Sequence, residues 1–188
     1  MTLGEGKEKV YMLLDEYSTG GVVEEDEDIE IKMTAFFDIA QKKMAGIKKI
    51  LRLYTVEREP GKTLYEPPKN FSALRRVWEN GENATRRYKW MAGKLIVPES
   101  VTGSVELEYY AMPETIPGDA DDSYEFEIAE DAAQCMPFFV AAQQLSTDIV
   151  TDSGALLNLF QIMVSGLNTT VPGDNLPTVR QSFFRGWR

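Results

Sequence analysis

Apolar positions in the first third of the chain recur with helical spacing. Val10, Leu13, Leu14 and Tyr17 fall at i, i+3, i+4 and i+7, and Gly20-Gly21 follows as a stop, which predicts a short amphipathic helix. Met33, Phe37, Ala40, Met44, Ile47, Leu51 and Tyr54 alternate steps of four and three, the seam spacing of packed helices, and predict one long rod. Glu24, Glu25, Asp26, Glu27 and Asp28 flank its start, while Lys42, Lys43, Lys48, Lys49 and Arg52 lie toward its end. That order complements the helix macrodipole. The acidic run lacks the alternating oxygen ligands and central glycine of a calcium loop, so a structural role is the simpler reading.

After Glu59-Pro60-Gly61 the period changes to that of strands. Phe71 to Trp78 leads into Glu79-Asn80-Gly81-Glu82, where Asn-Gly signals a hairpin, and Arg86 to Trp90 is expected to return. A second pair, Lys94 to Val97 and Val101 to Tyr110, follows; Val105, Leu107 and Tyr109 alternate with Ser104, Glu106 and Glu108, as in a sheet wet on one face. Helical pattern resumes near Ile128, with Cys135, Phe139 and Ala142 in seam spacing, and Pro137 either kinks this helix or sits in the first turn of a new one. Asp152 or Ser153 can cap a last helix, whose Leu156, Leu157, Leu159, Phe160, Ile162, Met163, Val164 and Leu167 make it apolar on nearly every side. Such a helix is central to a core or shared between subunits.

The pattern thus predicts an α+β fold: a helical bundle with an inserted antiparallel β-hairpin region and an extended C-terminal arm. The expected plan is a single domain with a helical core over 1–58 and 122–167, a β insertion over 59–121 and the arm over 168–188. A length of 188 residues, 43% hydrophobic and 27% charged, suits one core of that kind. No apolar run approaches the ~20 residues of a membrane span, and the first residues lack a secretory pattern, so a cytoplasmic protein is expected.

The chain has no histidine, which removes the commonest general base and metal ligand. Neither catalysis, a metal nor a cofactor is expected. Asp148 and Asp152 share a helical face but read more simply as caps and solvated surface. Cys135, the single cysteine, reads as a small buried apolar side chain. Gly61-Lys62-Thr63 imitates the end of a phosphate-binding loop, yet Val56 stands where that motif needs its first glycine.

Charge is sorted along the chain. Between Lys69 and Lys94 the bases Lys69, Arg75, Arg76, Arg86, Arg87, Lys89 and Lys94 outweigh Glu79 and Glu82, while Glu114 to Asp131 holds acids and no base. Either these are two solvated surfaces, or the basic face of one copy, through Arg75, Arg76, Arg86 and Arg87, meets the acidic face of the next, a pairing that favours head-to-tail rings. Interleaved with Trp78, Tyr88 and Trp90, the arginines could also make a nucleic-acid-binding sheet. The formal net charge of -10 argues against that as the main activity.

The chain ends Ser182-Phe183-Phe184-Arg185-Gly186-Trp187-Arg188, after a stretch broken by Pro172, Gly173 and Pro177. Large aromatics and arginines are the residues that anchor interfaces, whereas termini are usually polar. The arm either docks into another molecule or caps a groove on its own domain.

Taken in order, the helical pair, the β insertion ending in Leu107-Glu108-Tyr109-Tyr110-Ala111-Met112-Pro113, the acidic turn, the helix with Met136-Pro137-Phe138-Phe139-Val140-Ala141-Ala142, the last apolar helix and the aromatic-basic tail resemble the head-to-tail adaptor, or connector, proteins of tailed bacteriophages. The resemblance implies a structural virion protein of the neck, assembled in the host cytoplasm as a ring, usually of twelve copies, beneath the portal protein. It implies that the helical core makes the ring, that the β portion points toward the next tail component, and that genomic DNA passes through the lumen without specific binding. It also implies portal docking by Phe183, Phe184, Arg185, Trp187 and Arg188. Another neck or tail-terminator ring, or a small DNA-binding protein using the basic hairpin, are the alternatives.

Overall fold

The computed structural model describes residues 1–17, 27–100, 102–146 and 153–167. The fold is α+β, and the chain divides into two compact units, each with its own apolar cluster.

The helical unit is built from Met1–Ile50 and Met112–Thr169. Helix α1 (Leu3–Tyr17) starts on a reciprocal cap: Glu5 N donates to Thr2 Oγ1 at 3.3 Å and Thr2 N donates to Glu5 Oε2 at 3.0 Å. Two more of its orphan donors, Leu3 N and Gly4 N, reach the carbonyls of Tyr124 (2.8 Å) and Asp122 (3.0 Å). Leu3, Val10 and Leu14 form its buried stripe. Helix α2 (Glu27–Ile47) buries Met33, Phe37, Ala40 and Met44 as its spacing predicts. Helices α3 (Glu130–Ala133) and α4 (Met136–Ser146) split the third helical pattern, with Pro137 in the first turn of α4. Helix α4 packs on α1, α2 and α5 (Ser153–Ser165), so its Val140, Ala141 and Ala142 sit at the centre. Cys135 is buried there, and burial pushes its thiol pKa up. Leu156 and Phe160 of α5 are buried, Leu157, Leu159, Met163 and Val164 are half-buried against the same cluster, and Ile162 is exposed.

The long rod is shorter than its period suggests. Helix α2 stops at Ile47, and Leu51 and Tyr54 lie in strand β1 (Ile50–Glu57). The run Ile50 to Val56 is rich in β-branched and aromatic residues, and the ladder to a neighbouring strand outweighs a coincidental helical spacing.

The β unit spans Leu51–Ala111 among the described residues. Its other strands are β2 (Leu64–Tyr65), β3 (Phe71–Glu79), β4 (Glu82–Asn83), β5 (Lys89–Met91), β6 (Lys94–Ile96) and β7 (Ser104–Ala111). They form one sheet in the order β1-β7-β3-β4 and another in the order β2-β6-β5. Asn80 (φ 53°) and Gly81 (φ 79°) both take left-handed backbone, the requirement of the two-residue turn that joins β3 to β4. The return expected over Arg86 to Trp90 is different: β4 has two residues, Thr85–Arg87 is a single 3₁₀ turn, and β5 pairs with β6 in the other sheet. That pairing uses a second two-residue turn at Ala92 (φ 50°) and Gly93 (φ 77°), where alanine gives the sequence little to announce it.

The unit boundaries fall at 50/51 and 111/112 rather than at 59 and 121. The reason at the second boundary is packing: Ile116 and Phe126 belong to the helical cluster, so 112–129 is irregular, turning chain laid on helices. Among the described residues no helix is long and apolar enough to cross a membrane.

Candidate interaction surfaces

The arginines expected on one basic face divide into two sets. Strand β3 pairs with β7 antiparallel, but its register shifts between Phe71 and Ala73 and again between Leu74 and Arg76, so Arg75 is skipped by the ladder. A bulge re-aims a side chain. Arg75 Nη1 donates to Glu108 Oε1, with only 5% and 9% of the two side chains exposed. Arg76 Nη1 lies 3.5 Å from Glu108 Oε2 and its guanidinium stands 5.9 Å from the centre of the Trp78 ring, while Trp78 Nε1 donates to the same carboxylate at 3.4 Å. Glu108 therefore serves two guanidiniums and an indole. Arg75 is not part of an accessible basic face, and Arg76 is largely committed to this cluster.

Arg86 and Arg87 are exposed. Arg87 Nη1 meets Glu79 Oε2 at 2.7 Å, and the buried Tyr88 hydroxyl donates to that oxygen at 3.2 Å. Burial, then the Glu79 charge and hydrogen bond, push the Tyr88 pKa up to about 12. Arg86 and the exposed Lys89 make no ion pair among the described residues. The aromatics interleaved with these bases have interior work: Tyr88 lies in the β-unit core, Trp78 is under Arg76, and Trp90 stacks on Phe71 with ring centres 4.5 Å apart. Phe71 in turn stacks on Tyr109 at 5.7 Å. Trp78 and Trp90 lie in different sheets and these aromatics are engaged within the unit, so they do not line up as one base-stacking platform.

Strand β1 is bare by contrast. It ends the four-stranded sheet, Val56 is its one buried residue, and Leu53 is 67% exposed beside exposed Leu51 and Tyr54. An edge strand of this kind is a template for pairing unless covered.

The acidic stretch is held down from beneath. Buried Gln41 accepts from Glu127 N at 2.8 Å and donates to the Glu114 carbonyl at 3.4 Å, and Asp38 accepts from Ile116 N at 3.0 Å. Its acids then point outward. Asp122 meets the buried Lys7 (3.0 Å), which also reaches Glu30 (3.4 Å), and Asp131 meets Lys48, which holds its carboxyl below the usual range. Glu114, Asp119 and Glu125 stay exposed without an ion pair among the described residues. No group of three or more His, Cys, Asp or Glu side chains among the described residues could hold a metal ion.

Phe183, Phe184, Arg185, Trp187 and Arg188 lie outside the described residues. The residue that reading the sequence missed is Glu108, which looked like one more outward acid of β7; its signal was its place opposite Arg76 in the antiparallel register. No protein-family model matches the sequence, and no curated protein matches it.

Proposed function

We propose that this chain is a structural virion protein of a tailed phage, a head-to-tail adaptor that forms a ring below the portal and links capsid to tail around a DNA conduit. The observation that carries the reading is bare apolar surface on both units: Met12, Ile39 and Ile162 on the helical unit, Leu53, Tyr54 and Met91 on the β unit. Leu51, Leu53 and Tyr54 stand together on the edge strand β1, and an uncovered edge of this kind invites another chain. A neck ring has like copies at its sides and different rings above and below, and needs adhesive surface on each part. The exposed acids Glu114, Asp119 and Glu125 and the exposed bases Arg86 and Lys89 add surfaces of opposite sign. The reading places the protein in the virion neck.

The test is removal of 168–188. The truncated protein is expected to keep its helical circular dichroism and to lose co-sedimentation with portal-bearing capsids, with Trp187→Ala and Phe184→Ala the most damaging single changes. Each buried aromatic contributes roughly 1.5–3 kcal/mol, multiplied by avidity around a ring. Capsid binding that survives truncation would mean that the arm serves its own chain, and would defeat the adaptor reading.

A further inference from the structure

Two outward rows on the helical unit match each other in length, sign and layout. Helix α1 exposes Glu5, Glu8, Met12 and Asp15, at steps of three, four and three, which is one face of the helix. At 1.5 Å per residue Glu5 and Asp15 stand about 15 Å apart along the axis. Helix α2 exposes Lys32, Ala35, Ile39 and Lys43, again at steps of three and four. By the same rise Lys32 and Lys43 stand about 16 Å apart.

Each row has charge at both ends and an apolar side chain between. Met12 is 70% exposed and Ile39 is 51% exposed. One exposed apolar residue needs no explanation, but two of them at corresponding places in rows of opposite charge form a pattern. Glu5 is tied to the cap of α1, where it accepts from Thr2 N, but the other charges have no acid–base partner among the described residues. Among the described residues Glu8, Asp15 and Lys32 make no ion pair, and Lys43 is held over the rings of Phe139 (5.0 Å) and Phe160 (5.7 Å) rather than by an acid.

We infer that the α1 row of one copy seats on the α2 row of a second copy, Met12 against Ala35 and Ile39, with the acids of α1 facing Lys32 and Lys43. Because the two rows are different surfaces of one chain, the contact is head to tail and repeats from copy to copy. It deepens the ring reading by naming the contact between copies, and it rests on that reading only in taking the partner to be another copy. The arm has no part in it.

The experiment measures the mass of the full-length protein in solution by analytical ultracentrifugation, at low salt and at salt high enough to screen exposed pairs. Wild-type protein is expected above monomer mass at low salt and smaller at high salt. E8K/D15K makes both rows basic and K32E/K43E makes both acidic, so each alone is expected to stay monomeric with an unchanged circular dichroism spectrum. An equimolar mixture of the two is expected to regain the wild-type mass, because every contact then joins opposite rows. If K43E disturbs the Phe139 and Phe160 packing, seen as a changed spectrum, K32E alone takes its place. A wild type that is monomeric at every concentration, variants that assemble like the wild type, or a mixture that stays monomeric each overturns the inference. Assembly by the variants with capsid binding intact would sink this contact and leave the adaptor reading standing; loss of portal binding is read separately, on the arm.

Discussion

Tyr88 shows how one buried hydroxyl ties a residue to its sheet. Burial and the neighbouring Glu79 carboxylate both disfavour the phenolate, and the pKa rises from 10.0 to about 12. The protonated form is the one the folded chain prefers, so its contribution to stability is complete below pH 10 and is lost as pH rises through about 12. Burial raises Tyr109 and Tyr124 as well, so ultraviolet titration is expected to show a late tyrosine wave that loses one tyrosine's amplitude in Tyr88→Phe; an unchanged amplitude in that variant would refute the assignment. Glu108 is the stronger constraint. Glu108→Ala leaves the buried Arg75 guanidinium without its carboxylate, a loss of about 3–5 kcal/mol of the kind seen when one partner of a buried pair is removed. Urea unfolding followed by tryptophan fluorescence measures it. The sequence showed Arg75 and Arg76 as charge and nothing more. What hid their burial is the shift in register at Arg75, a property of how two strands meet that no local residue pattern marks.

At the level of elements, glycines with the same name have opposite meanings. A side chain on Gly6 of α1 would place its Cβ 2.9 Å from Phe37 Cζ, inside the core, whereas at Gly46 of α2 a Cβ meets nothing within 4 Å. Helix propensity favours alanine at both positions by up to about 1 kcal/mol. We expect Gly46→Ala to raise the thermal midpoint and Gly6→Ala to lower it, since overpacking costs typically 1–3 kcal/mol. A Gly6→Ala protein more stable than wild type would mean that α1 and α2 are not packed as described. Elements that announce themselves by two agreeing signals were legible: α1 by its period and the Gly20-Gly21 that follows in sequence, β3 with its Asn80-Gly81 turn by strand-forming residues and turn chemistry. Where one signal stood alone it misled, as in the seam spacing that ran on through Leu51 and Tyr54 into β1.

For the whole molecule, two separate apolar clusters predict two unfolding events. Trp78 and Trp90 lie in the β unit, so in a Trp187→Phe background fluorescence reports that unit while helical circular dichroism reports the other. Glu108→Ala is expected to shift the fluorescence transition to lower urea and leave the helical one in place; coincident shifts would show one cooperative body. The α+β class and the order of its parts could be read from periodicity, but the boundaries could not. Glu59-Pro60-Gly61 looked like a border and is a turn inside the β unit, while 112–121 looked like the end of the insertion and is fastened to the helices through Gln41 and Asp38. That arrangement also orders events during synthesis. The strands of the β unit are continuous in sequence, so they can pair once residue 111 has left the ribosome, whereas α1 and α2 wait for α4, the helix both pack upon. Helices α1 and α2 therefore precede the helix both pack upon, and until α4 emerges Leu3, Val10, Met33 and Phe37 lack that cover and are open to chaperones.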